Sequence, residues 1–232
     1  NIFLHYTLKQ WGQKPEDIDP SVTARVPVLI SEDNGYFQDA YQGMPLEGFT
    51  PLFEKMLDYP NIQLMLDTDA NQLLRLENGQ IYFQDQPFDG QVIFTGPIDE
   101  FFSCCYGQLP YRSLHFVFEH HEKSDYQPKA VVNYTVSEDY TRITEFKKLT
   151  GQKMPEHTTI MKEYPMPYSG KPGEIPYYSI INDENLALYQ KYCQLLDGYP
   201  KFHLLGRLAE YKYYNIDAIV DKALTLADTL LG

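Results

Sequence analysis

Five arginines stand in a chain whose 32 acidic residues outnumber its 19 lysines and arginines. Four of them have distinctive settings: Arg25 in ARVPV, Arg112 in LPYRSL, Arg142 in YTRITE and Arg207 in GRLAEYKYY. A guanidinium fork grips phosphate at two points and keeps its charge at any working pH. An anionic ligand approaching a protein of net charge −13 needs such local positive charge. The plainer alternative ties each arginine to a carboxylate in a structural salt bridge. Twenty tyrosines and a single tryptophan, Trp11, offer flat faces for sugar or base rings. Tyrosine also favours strands, so a sheet-rich core is the competing explanation.

Other chemistry-bearing groups read as bland. Glu119-His120-His121-Glu122 has metal-ligand types, but adjacent strand residues point to opposite faces, and no metal site is expected. Cys104 and Cys105 read as inert core residues. Three cysteines without regular spacing give no disulfide framework and fit a reducing cytoplasm. No Ser/His/Asp order points to a hydrolase. Neither a G-x-G-x-x-G nor a Walker loop occurs. The acidic balance argues against nucleic-acid partners, and no apolar run is long enough for membrane insertion.

The elements that must position these residues follow from periodicity and punctuation. Residues 1–12 read as helical, closed by Gly12, and residues 13–34 as an exposed loop. Thr50-Pro51 reads as a helix start, with Leu52, Phe53, Met56 and Leu57 on one face and Pro60 as the stop. Ile62, Leu64 and Leu66 alternate as in a strand. Asn78-Gly79 between two apolar runs signals a hairpin. Strands are expected at 91–95, around Leu114–Phe118, and at 130–135, 142–147, 158–163 and 202–205. Helices are expected at 183–196 and from Ile216 to Leu231, with Asn215 as the cap of the last. The sum is a mixed α/β fold, largely antiparallel sheet plus part of an α/β layer. Asn1 and the dense opening NIFLHYTLKQWG read as the interior of a longer protein.

Six segments carry a family resemblance: YTLKQWG (6–12), GMPLEGFTPLFEKML (43–57), TGPIDEFF (95–102), LPYRSL (109–114), NYT…YTRITE (133–145) and GRLAEYKYYNID (206–217). In this order they resemble UDP-galactopyranose mutase. The resemblance implies a partial FAD-binding Rossmann-like domain plus an antiparallel β-sheet substrate domain. It implies interconversion of UDP-galactopyranose and UDP-galactofuranose through a flavin–sugar adduct, with reduced FAD. The implied division gives residues 1–40 to the end of a helical and mobile-loop substrate region and 41–105 to the FAD-binding domain. It gives 106–182 to the sheet domain and 183–232 to C-terminal helices returning to the FAD domain.

By the same resemblance Phe3, Tyr6, Thr7 and Trp11 form the uridine side. Arg25 and Arg142 are the catalytic arginines on the diphosphate. Tyr36 and one of Tyr177 and Tyr178 contact phosphate. Tyr213 lies at the flavin–substrate junction, and Arg112, Arg207, Asn215, Ile216 and Asp217 lie on the flavin side. The chain departs from the pattern at Ile2, often aromatic, at Ser103–Tyr106, and at Asn215, often Asp. The main FAD loop is expected before Asn1, so the chain alone is expected to be inactive and its parent a cytoplasmic homo-oligomer. Two other readings compete: an amine-oxidase-like flavin oxidoreductase on the same fold, and a non-catalytic nucleotide-sugar-binding module.

Overall fold

The computed structural model describes residues 2–18, 20, 30–32, 35 and 37–232, and of Ile2 and Phe3 the backbone alone. In chain order the elements are α1 (Ile2–Trp11), a short 3-10 turn (Pro15–Asp17), α2 (Phe49–Leu57) and α3 (Ala70–Leu73). Strands β1 (Leu74–Glu77), β2 (Gln80–Phe83), β3 (Gln86–Phe88) and β4 (Val92–Phe94) lead into α4 (Ile98–Phe101). Then come β5 (Tyr111–His121), β6 (Val131–Asn133), β7 (Arg142–Glu145), α5 (Phe146–Thr150), β8 (Thr158–Pro167) and β9 (Tyr178–Ser179). The chain closes with α6 (Asp183–Gln194), β10 (Phe202–Leu204) and α7 (Ile216–Leu231). The fold is mixed α/β, as the pattern of elements predicts. It divides into two compact units, Asn1–Leu66 with Leu114–Met166, and Asp67–Ser113 with Pro167–Gly232.

In the second unit, β1, β2 and β3 form an antiparallel meander. Asn78 and Gly79 both take positive φ, 49° and 78°, the backbone that a two-residue hairpin turn requires. Strand β4 pairs in parallel with β10, Val92 opposite Phe202. Ile81, Val92, Phe94, Phe202 and Ala209 are buried together beside this pair. A second cluster holds Ile98, Leu109, Tyr111, Tyr192 and Tyr211. Burying each large side chain contributes about 1.5–3 kcal/mol. Many tyrosines are therefore core, but their hydroxyls are put to use: Tyr192 donates to the carbonyl of Gly107 and Tyr211 to that of Ile180.

The first unit has a polar interior. Strand β7 pairs antiparallel with β6 and with β8, and Ile143 and Ile160 are almost fully enclosed. Beside them Thr141, Thr144, Glu145, Thr158 and Glu163 are also buried. Glu145 shows how this is tolerated. Its carboxylate accepts from the backbone N–H groups of Tyr126 (3.0 Å) and Gln127 (3.1 Å) and from Thr158 Oγ1 (2.7 Å). Burial alone would raise its pKa. These donors, with Lys148 nearby, hold it below the ordinary carboxylate value.

Several expectations are corrected. Ile62, Leu64 and Leu66 form no strand and are 41%, 57% and 72% exposed. Alternation becomes a strand only where a neighbour takes the ladder hydrogen bonds, and no described strand pairs with this segment. Helix α2 starts at Phe49 after Gly48 (φ 86°), not after Thr50; Pro51 fits because its missing N–H falls in the unbonded first turn. Its apolar residues Leu52, Phe53, Met56 and Leu57 are exposed rather than packed. Strand β7 ends at Glu145, where α5 begins. Cys105 is exposed and Cys104 only half-buried, because Ser103 and Cys104 turn through positive φ and carry the pair away from the core.

Candidate functional site

Helix α1 ends where Gly12, at φ 65°, donates its N–H to the Leu8 carbonyl. Its polar side is stapled to the turn between β6 and β7: Lys9 Nζ donates to the carbonyls of Tyr134 (2.7 Å) and Tyr140 (3.2 Å). Burial lowers the Lys9 pKa, against the pull of Glu138 and Asp139. One residue beyond Thr141, Arg142 Nη2 donates to Tyr6 Oη at 2.9 Å. Thus α1, with Tyr6, buried Thr7 and half-buried Trp11, meets the arginine of β7.

Behind Arg142 lies a carboxylate that sequence reasoning missed. Glu163 is 5% exposed, stands opposite Arg142 in the β7–β8 register, and places Oε1 3.2 Å from Arg142 Nε. Thr141 Oγ1 donates to the same carboxylate at 3.2 Å. Burial raises the Glu163 pKa, while the Arg142 charge and Thr141 work against the rise. Alternation from the buried Thr158 and Ile160 would turn Glu163 outward. The burial of β8 falls out of step between Ile160 and Glu163, so nothing in the sequence marks this carboxylate, which once buried needs a cation.

The second unit holds the other cluster. Arg112 and Tyr178 are opposite one another on β5 and β9, and the Tyr177 N–H donates to the Arg112 carbonyl at 2.9 Å. Burial lowers the Arg112 pKa. The rings of Tyr178 and Tyr213 are stacked, 6.0 Å apart at 18°. The Arg207 guanidinium carbon lies 4.3 Å over the Tyr213 ring, and Arg207 Nε donates to the Tyr214 carbonyl at 2.7 Å. Arg207 has no carboxylate partner among the described residues. Arg75, by contrast, pairs with Glu77 and Asp85 at the surface, as the structural alternative supposes. Asn215 occupies the N-cap position of α7 without a side-chain capping bond, and Ile216 and Asp217 are exposed; the expected cap is supplied by position alone.

Arg25, Tyr36 and the side chain of Phe3 lie outside the described residues. Tyr6, Thr7, Trp11 and Arg142 come together in the first unit. Arg112, Tyr177, Tyr178, Arg207, Tyr213 and Asn215–Asp217 belong to the second. His120 bonds Thr159 (2.8 Å) and His121 bonds Glu119 (3.2 Å), and no cluster of metal-ligand types is found among the described residues. No helix of the described residues is long and apolar enough to cross a membrane.

Arginines set among tyrosines, one of them without a carboxylate partner among the described residues, are of a residue type that can grip phosphate. Residues 1–213 match the family model of UDP-galactopyranose mutase, and the chain belongs to that family. It is 39% identical over 234 residues to a UDP-galactopyranose mutase of Mycoplasma pneumoniae, covering 99% of this chain and 58% of that protein. A UDP-galactopyranose mutase of Mycoplasma genitalium is 35% identical over 236 residues, covering 100% of this chain and 58% of that protein. A dTDP-fucopyranose mutase of Escherichia coli is 35% identical over 228 residues, covering 97% and 58% respectively. The chain therefore spans 58% of the length of each of these relatives.

Proposed function

We propose that this chain supplies the substrate-side and flavin-side residues of an isomerase that interconverts UDP-galactopyranose and UDP-galactofuranose with reduced FAD. The observation that carries the reading is the Arg142–Tyr6 bond, which joins the arginine of YTRITE to the aromatic helix of YTLKQWG. In this reading Tyr6, Thr7 and Trp11 receive the nucleoside, with Phe3 beside them, and Arg142 receives the diphosphate with Arg25 and Tyr36. Of the adjacent pair Tyr177 and Tyr178, Tyr178 is held by Tyr213 and is the better-oriented phosphate contact. Residues 41–105 and 183–232 belong to the flavin side and 106–182 to the sheet.

The fit to a flavin rests on the donor set. Arg207 lies over the Tyr213 ring, Arg112 is half-buried, and the first turn of a helix such as α7 offers N–H groups to an acceptor. When bound, reduced flavin supplies an electron-rich ring nitrogen for chemistry at the anomeric carbon. The chain's own part is to grip the diphosphate leaving group, orient the sugar and exclude water. The FAD pyrophosphate requires a glycine loop that these 232 residues do not contain, so the chain alone is expected to be inactive.

A second reading is favoured by one observation. The dTDP-fucopyranose mutase and the Mycoplasma genitalium UDP-galactopyranose mutase are equally similar to this chain, each 35% identical. The nucleotide and sugar could then be dTDP and fucose. The test joins this chain to the part of the Mycoplasma pneumoniae relative that it does not cover and assays both sugars by chromatography. Turnover of the UDP-sugar with dithionite-reduced flavin, and none with oxidised flavin, is expected. Preference for the dTDP-sugar would establish the second reading. A folded, FAD-retaining protein that converts neither would overturn both.

A further inference from the structure

Arg207 and Glu210 stand three residues apart in a helical turn, where the Glu210 N–H donates to the Gly206 carbonyl at 2.9 Å and the Lys212 N–H to the Arg207 carbonyl at 3.0 Å. At that spacing an arginine and a glutamate are neighbours and form an ion pair by default. They do not do so here. Glu210 Oε2 turns back to accept the N–H of Gly206 at 2.8 Å. Glu210 Oε1 accepts from Tyr214 Oη at 2.9 Å and from Lys222 Nζ. Lys222 arrives from the second turn of α7 and also donates to Tyr214 Oη at 2.9 Å. Tyr214 in turn presents the carbonyl that holds Arg207 Nε.

We infer that Lys222 is a positioning residue: by occupying the Glu210 carboxylate it keeps Glu210 from capturing Arg207, and so leaves the Arg207 guanidinium available to a ligand on the flavin side. The carboxylate is only 15% exposed at its side chain, so it must be neutralised by some cation. Arg207, Lys212 and Lys222 are the cations of this neighbourhood, and it is Lys222 that bonds the carboxylate. The hydrogen bonds to Glu210 and Tyr214 raise the Lys222 pKa. With Lys222 removed, the turn keeps two cations, Arg207 and Lys212, whose Nζ lies 5.6 Å from the centre of the Tyr214 ring; of these Arg207 has the three-residue spacing to Glu210 at which helical neighbours face each other, and Lys212, two residues away, does not. Glu210 would swing to Arg207, Tyr214 would lose both partners of its hydroxyl, and the 4.3 Å stack of Arg207 on Tyr213 would open. The inference rests on the proposed function only in placing Arg207 on the flavin side.

The test reads Arg207 directly and needs no turnover. Arginine-labelled chain contains five Nε–H groups, and Arg207→Lys identifies the signal of Arg207 in a proton–nitrogen spectrum. In Lys222→Met that signal should move, and its exchange with water should change by roughly fivefold, the scale of one hydrogen bond of about 1 kcal/mol. Lys222→Arg should restore both, and the Arg142 signal should stay in place. Adding Glu210→Gln to Lys222→Met should return the Arg207 signal toward its original position, since no carboxylate remains to capture it. If Lys222→Met does not fold, Lys222→Gln serves the same comparison. An unmoved Arg207 signal in a folded Lys222 variant would overturn the inference, even if the variant were less stable, because lost stability alone is what a merely structural lysine gives. Failure of the mutase assay with these shifts present would count against the proposed function and leave the Lys222 role standing.

Discussion

Arg142→Ala should cost stability as well as ligand contact, and the stability cost should depend on pH. Arg142 Nε lies 3.2 Å from a Glu163 carboxylate that is 5% exposed. At that distance, and an effective dielectric constant of about 20, the attraction is about 5 kcal/mol before desolvation is subtracted. Removing the arginine leaves a buried charge, but a carboxylate can escape by taking up a proton. From an ordinary pKa of 4.5, protonation at pH 7 costs about 3.4 kcal/mol, at 1.36 kcal/mol per unit. That sets the ceiling on the Glu163 contribution. The lost bond to Tyr6 adds roughly 1 kcal/mol.

The sign follows from linkage. Burial already raises the Glu163 pKa in the folded state, and loss of Arg142 raises it further. The variant is therefore least compromised below pH 4.5, where Glu163 is protonated folded and unfolded. Its deficit relative to the parent grows as pH rises from the parent's own raised Glu163 pKa through the higher one of the variant, and is level above that. Urea unfolding followed by Trp11, which lies in the same unit, measures the deficit between about pH 5 and 8. At pH 7 a loss of up to about 4 kcal/mol is expected, or roughly 8–16 °C in Tm. Arg142→Ala combined with Glu163→Gln should recover most of it and flatten its pH dependence. A deficit equal at pH 5 and pH 8, or no recovery in the double variant, would refute the reasoning. Activity lost in Arg142→Ala is thus ambiguous by itself, and Arg142→Lys, which keeps the charge, is the cleaner probe of phosphate binding.

Three further outcomes are expected. UDP should change the emission of Trp11, the single tryptophan; a flat signal at UDP concentrations that independently saturate the site would make Trp11 a core residue only. Asp99 is 1% exposed, accepts the Leu109 N–H at 2.8 Å, and has its pKa raised chiefly by burial. Its ionisation therefore weakens the fold as pH rises from about 3.8 through the raised value, so Asp99→Asn should gain on the parent as pH increases; parallel stability–pH curves would contradict this. Gly79→Ala places a side chain at φ 78° and should cost about 1 kcal/mol, visible as a fall of a few degrees in Tm; an unchanged Tm would mean that the turn relaxes freely.

The fold was legible wherever a local signal coincides with its own partner. Asn78-Gly79 specifies a hairpin because both strands lie within a few residues of it. The spacing from Ile216 to Leu231 specifies a helix for the same reason, since helix bonds are internal. The Ile62–Leu66 alternation failed because a strand depends on a distant neighbour, and the sequence of one strand says nothing about whether that neighbour is there. Likewise the apolar face of α2 predicts a helix correctly while saying nothing of what covers it.

The site divides along the same line. Arginine and tyrosine types, and their order along the chain, can be read in sequence; the carboxylates that decide what each arginine can do cannot. Arg142 and Glu163 are 21 residues apart and meet only through the β7–β8 register. Arg207 and Glu210 are three residues apart and should pair by proximity, yet a lysine from α7 takes the glutamate instead. The two arginines therefore differ in a way their motifs do not reveal. Arg142 is held in place by a buried counter-charge, so it offers a ligand directed N–H groups more than net charge. Arg207 has its counter-charge diverted, so it offers both. In a chain of net charge −13, a guanidinium left without a carboxylate is the costlier arrangement to maintain, and it is maintained by three residues, Glu210, Tyr214 and Lys222, whose types alone would never have marked them as part of a site.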